Sequence, residues 1–272
     1  DDFPITEAQL WGLFLESIAY GIYLVTVAYC AQALLRSSAG WKRLDEINWS
    51  MVIVAILLFC LASLDLMFGF YNNLKAFITF GNIKDGALNE FTDISSWVNV
   101  MKSVTLVVQT MIGDGILVYR CWVVYNKSWL LTGFSFILWL GGVFCTIYII
   151  YIESTLHTKA LVNSSKLAPV ITAFWSITIS LNIITTALLV ARIWKADRDN
   201  NAYGIHSSST GYTHRPSALK NVMRSVIESG LLYTVTAFIS FVVYIVGSTA
   251  AYPVTDVEVQ IIGIAFNLII IR

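Results

Sequence analysis

Seven apolar stretches, each long enough to cross a bilayer as a helix, constrain this chain more than any other feature. They run roughly from Ala8 to Leu35, Trp49 to Tyr71, Trp97 to Tyr125, Trp129 to Ile152, Ala168 to Trp194, Asn221 to Ser248 and Pro253 to Ile271. About 20 helical residues at about 1.5 Å each cover the roughly 30 Å of hydrocarbon. Composition agrees: 57% of residues are hydrophobic and 12% charged, with mean hydropathy +0.71, whereas a soluble domain carries about 25% charged residues. The polar gaps between stretches are short, so residues 1–272 read as a single all-α seven-transmembrane helix bundle. Net charge is zero, which gives no electrostatic handle for nucleic acid.

Direction follows from how the charges are distributed. Twelve of the 17 Lys and Arg residues (Arg36, Lys42, Arg43, Arg120, Lys127, Arg192, Lys195, Arg198, Arg215, Lys220, Arg224 and Arg272) fall on the side of the loops after spans one, three and five. The other side holds Lys75, Lys84, Lys102, Lys159 and Lys166. The positive-inside bias therefore places the N-terminus outside and the C-terminus in the cytoplasm. Tryptophans Trp11, Trp41, Trp49, Trp97, Trp122, Trp129, Trp175 and Trp194 lie at or near predicted ends, as headgroup-level indoles do, and Trp139 lies mid-span. The expected location is a plasma membrane or secretory-pathway membrane. Asn163-Ser164-Ser165 then lies outside as a glycosylation candidate, while the sequons at Asn48 and Asn126 lie inside.

Cys30, Cys60, Cys121 and Cys145 all fall within spans, so no disulfide is expected and small packing residues are. The first apolar block is too long for a cleavable signal peptide and lacks a basic leader. A chain opening on Asp1 is expected to have its true start upstream, and any cytoplasmic tail to follow Arg272. The outer segment 72–96 reads as a lid or interfacial helix over the bundle mouth. Segment 196–218 reads as a mobile inner loop, with Ser207, Ser208, Ser209 and Thr210 exposed.

Ionisable groups within a span cost at least about 2.5 kcal/mol each, so they face the interior and form the functional candidates. Near the outer side these are Glu16, Asp65 and Lys102. Helical spacing adds Gln9, Tyr20 and Tyr23 on span one, Asn99, Gln109 and Gly113 on span three, and Asp256, Gln260, Gly263 and Asn267 on span seven. Three polar stripes imply a hydrated cavity facing outward, with Glu16, Tyr20, Asp65, Lys102, Gln109 and Gln260 as its candidate ligand-binding residues. Nearer the cytoplasm an inner polar network is expected from Asp114, Arg120, Asn182, Arg224, Glu228 and Asn267. There Asp114 would tie spans three and six, with Arg120 and Arg224 as its nearest cationic candidates. Gly113 and Gly115 would let another backbone come close to it. Span three carries a second stripe, Ser103, Thr110, Asp114 and Cys121, and a helix polar on several faces belongs at the centre.

The runs GDGILVYRCWVVY (Gly113 to Tyr125), LNIITTALLVARIW (Leu181 to Trp194) and SVIESGLLYT (Ser225 to Thr234) together resemble an uncharacterised seven-transmembrane protein family of mushroom-forming (basidiomycete) fungi. The likeness covers spans three to seven well and span one loosely. It implies the fold, marks Asp114, Tyr119, Arg120, Glu228 and Ser229 as the family's signature, and carries no activity.

Topology, outer pocket and mobile inner loop suit a receptor-like protein that binds a small or lipidic ligand from outside. Rhodopsin-like marks are missing: there are no outer cysteines, no Asp-Arg-Tyr, and the seventh span reads AFNLIII. A retinal pigment needs a lysine on the last span, which has none. The alternative is a membrane-embedded, cyclase- or isomerase-like enzyme using Asp114, Glu16 or Asp65 as a desolvated acid on an apolar substrate. A transporter or channel comes third. His157, His206 and His214 lie in loops and no group has ligand spacing, so no metal and no cofactor is expected. Expected partners are membrane lipids or a sterol, a small-molecule ligand and a second copy of the chain. The orientation predicts that an N-terminal epitope tag is labelled on intact cells and a C-terminal tag only after permeabilisation. The reverse pattern refutes it.

Overall fold

The computed structural model describes residues 3–37, 40–41, 45, 47–83, 86–92, 96–155, 167–202 and 218–271. Seven long helices form the bundle: α1 (Ile5–Leu35), α2 (Trp49–Leu74), α4 (Trp97–Val124), α5 (Trp129–Thr155), α6 (Ala168–Ala202), α7 (Ala218–Val246) and α8 (Ala251–Ile271). A π-helical turn, Lys75–Thr79, continues α2, and a short helix α3 (Gly86–Thr92) precedes α4. After α1 the chain makes a two-residue antiparallel ladder, β1 (Arg36–Ser37) with β2 (Gly40–Trp41). All seven long helices are apolar and long enough to span a membrane, and the chain is a multi-pass integral membrane protein. The helices begin and end within a turn of the expected spans, except that α6 continues to Ala202. Asn163 and the serine run 207–209 with Thr210 lie outside the described residues.

Local signals explain several boundaries. Ser96 caps α4 by accepting a hydrogen bond from the Asn99 backbone N–H. Gly247, at φ 70°, ends α7; its N–H bonds the Tyr244 carbonyl and the Ser248 N–H bonds that of Val243. The chain then enters α8, where Pro253 sits in the first turn and forfeits a donor with no intrahelical partner.

Consecutive spans pack side by side in a ring that α8 closes against α1, while α4 and α8 also cross the middle. The third span takes the central place its two polar stripes require, touching α2, α5, α6 and α8. It shares the centre with the seventh. The apolar window of α8 is 56% buried, against 44% for α4 and 17% for α1. The largest apolar cluster, including Met111, Ile149, Phe174, Trp175, Tyr233 and Ile262, joins α4 to α8 around this middle.

The α1–α8 seam depends on small residues, because without water the helices gain little from apolar burial alone and instead profit from close contact. Tyr23 lies fully buried in that seam, against Val259 and Ile264. A Cβ at Gly263 would stand 2.6 Å from the Tyr23 ring. Cys30, Cys121 and Cys145 are buried packing residues, whereas Cys60 faces outward on α2. Gly263→Ala should destabilise the bundle by about 1–3 kcal/mol through overpacking. Pairing it with Tyr23→Leu should restore much of that loss in a detergent unfolding titration.

Candidate functional site

At the end of the bundle where α1 begins, here the N-terminal face, the helices surround a cavity of about 180 Å³. Gln9, Asp65, Asn99, Lys102, Ser103, Glu153, Thr255 and Asp256 stand in its polar wall; Leu106, Ile171, Trp175, Tyr244 and Tyr252 are among the residues of the rest. Phe91 of α3 reaches it from above. Segment 72–96 thus supplies the covering helix its composition suggests. The Phe91 side chain packs with Ile5 and Ala76, and Lys75 Nζ meets Glu90 Oε1 at 2.6 Å, tying the end of α2 to α3.

Below that helix, Lys102 Nζ donates to Asp256 Oδ1 at 2.7 Å, joining α4 to α8. Glu16, Asp65 and Asp256 each offer an oxygen within 4.8 Å of the others. Gln260 Nε2 donates to Glu16 Oε1 and to the Ala62 carbonyl, both at 3.2 Å, and Thr105 Oγ1 donates to Asp65 Oδ1. Glu16 Oε2 and Asp65 Oδ2 are buried without a hydrogen-bond partner. Three acidic oxygens this close suit a cation, and the Lys102 ammonium takes that place. Gly69 on α2 makes room: a Cβ there would lie 3.3 Å from both Glu16 Oε2 and Lys102 Nζ.

Of the outer candidates, Glu16, Asp65, Lys102 and Gln260 therefore meet in one buried cluster. Tyr20 does not join it, since its hydroxyl bonds Ser63 Oγ at 2.8 Å. Gln109 Nε2 donates to the Val259 carbonyl and ties α4 to α8 structurally.

The inner candidates do not form one network. Asp114 Oδ1 accepts from Asn182 Nδ2 at 3.0 Å and from the Tyr233 hydroxyl at 3.1 Å, which links spans three, five and six. The tie between spans three and six thus runs through a tyrosine. Arg224 pairs with Glu228 at 2.6 Å on the exposed side of α7, one turn apart on its own helix. Arg120 lies 6.0 Å from the centre of the Phe266 ring. Asn267 donates to Thr26 Oγ1 at 3.1 Å, between α8 and α1. Beside Asp114 it is side chains that come close, not a backbone. Ile262 packs at Gly113, and at Gly115 lies the Trp139 indole, whose Nε1 donates to the Met111 carbonyl.

Sequence reasoning misses three buried groups. Glu153, one residue beyond the expected end of span four, accepts from Ser103 Oγ at 3.1 Å. Glu258 accepts from Ser240 Oγ, joining α8 to α7. Its signal was present: Asp256 and Glu258, two apart, point to different sides of one helix, which requires protein on both. Trp175 stands in the cavity wall, 3% exposed, and not at a membrane interface.

Removing one partner of a buried ion pair leaves an uncompensated charge. Lys102→Ala should cost about 3–5 kcal/mol in an unfolding titration, and Lys102→Met with Asp256→Leu should recover most of it. Equal losses in both variants would show that the pair contributes packing alone. Compared with protein-family models, with curated proteins and with solved structures, the chain matches none.

Proposed function

We propose that this seven-span membrane protein is receptor-like: it binds a small or lipidic ligand in the cavity of its N-terminal face, turned to the outside, and belongs with the fungal seven-span proteins its motifs resemble. The observation that carries the reading is the cavity itself, which every long helix lines at the one face that also carries a covering helix. Its polar wall can orient a ligand and its aromatic wall can hold the apolar part. A volume of about 180 Å³ lies below the roughly 300–1,000 Å³ usual for drug-sized ligands, so the ligand is small. Positive-inside charge bias supports the orientation.

The test is a thermal-stability screen of small amphipathic molecules on protein in lipid nanodiscs. A ligand at about 100 times its Kd stabilises by about 2.7 kcal/mol. Trp175→Ala should abolish that stabilisation, and Tyr119→Ala, on the exposed face of α4, should leave it intact. Stabilisers that act equally on both variants would refute the reading. Recovery of a chemically altered ligand would instead favour the membrane-enzyme reading, with the cavity carboxyls as acid and base.

A further inference from the structure

We infer that the cavity takes a protonated primary amine, its ammonium held by Glu153 and its apolar remainder lying against Trp175. This rests on the cavity being the ligand site, and it assigns the chemical class of that ligand. Glu153 is 5% exposed and lines the cavity; Ser103 occupies its Oε1, and its Oε2 is buried without a partner. That oxygen is not served by Lys102, whose hydrogen bond goes to Asp256.

Among the described residues Lys102 is the only cationic residue lining the cavity. Lys75 is engaged outside with Glu90. A monocationic ligand beside Glu153 acts where the dielectric is low.

The free acceptor also chooses among cations. A carboxylate oxygen lacking a partner needs an N–H or O–H donor, and a charged donor gives the strongest such bond. A primary ammonium has three; a quaternary ammonium has none. Calcium takes six to eight oxygens and gains nothing from Leu106, Ile171 and Trp175 in the same wall. Those apolar residues suit the carbon skeleton of an amine, and an indole ring attracts the ammonium as well.

The probes are 2-phenylethylamine, its neutral counterpart 2-phenylethanol, and trimethyl(2-phenylethyl)ammonium, titrated onto the full chain in nanodiscs by isothermal calorimetry. The expected result is that the amine binds at least tenfold more tightly than either other probe. Glu153→Gln should weaken the amine at least tenfold while leaving the alcohol unchanged. Equal affinity for amine and alcohol would overturn the inference, as would an amine affinity untouched by that substitution, tighter binding of the quaternary probe, or no binding of the amine. If the variant does not fold, the order of the three probes on the unaltered protein decides alone. Alcohol binding at least as tight as the amine's and abolished by Trp175→Ala would sink the amine and keep the cavity; probes indifferent to Trp175→Ala would sink the cavity reading itself.

Discussion

Lys102 sits little more than a turn inside the start of the third span, and a charge at that depth has to be paired. Its partner Asp256 lies on the seventh span. Much of the N-terminal face follows from that requirement. The pair holds the two central helices together, Gly69 clears space for the ammonium, and Glu16 and Asp65 crowd around it from the first two spans. Gln260 and Thr105 then supply donors to these carboxyls. The cavity is the volume left where this polar cluster stops and the Trp175 side of the bundle begins.

The fold was legible because it rests on a one-dimensional property. Apolar length sets a span, and in the structure Ser96, Gly247 and Pro253 then shape where spans start or stop. The central place of α4 was legible too, from polar residues on more than one of its faces. The site was only partly so. Depth along the spans put Glu16, Asp65 and Lys102 at one level, helical spacing on the seventh span added Gln260, and these four side chains do meet. Spacing cannot say which faces meet. Hence Tyr20 and Gln109 were expected to line the cavity but are used by Ser63 and the Val259 carbonyl, whereas the four-residue spacing of Arg224 and Glu228 already allowed the local pair they form. Glu153 was missed because it sits where hydrophobicity ends, although burial continues past that point.

The deeper site around Asp114 is of another kind. Its carboxylate is fully buried and is met by an amide and a phenol, both neutral donors, from two other spans. Three helices converge there through a single oxygen, Oδ1. Neutral donors fix the helices' relative positions without bringing in a second charge. This division leaves the charged chemistry at the N-terminal face and a mechanical junction beneath it.

The Lys102–Asp256 pair bridges 154 residues of chain, and that separation bears on biogenesis. In a protein inserted into the membrane from its N-terminus, the third span arrives long before the seventh, so the lysine enters hydrocarbon with its eventual partner still unmade. The buried carboxyls of the first two spans, Glu16 and Asp65, are already present and can shelter it in the interim. When α8 docks against α1 and closes the ring, Asp256 joins them as the ammonium's hydrogen-bond partner. The finished bundle thus keeps around Lys102 both the carboxyls already present at its insertion and the one that arrives last.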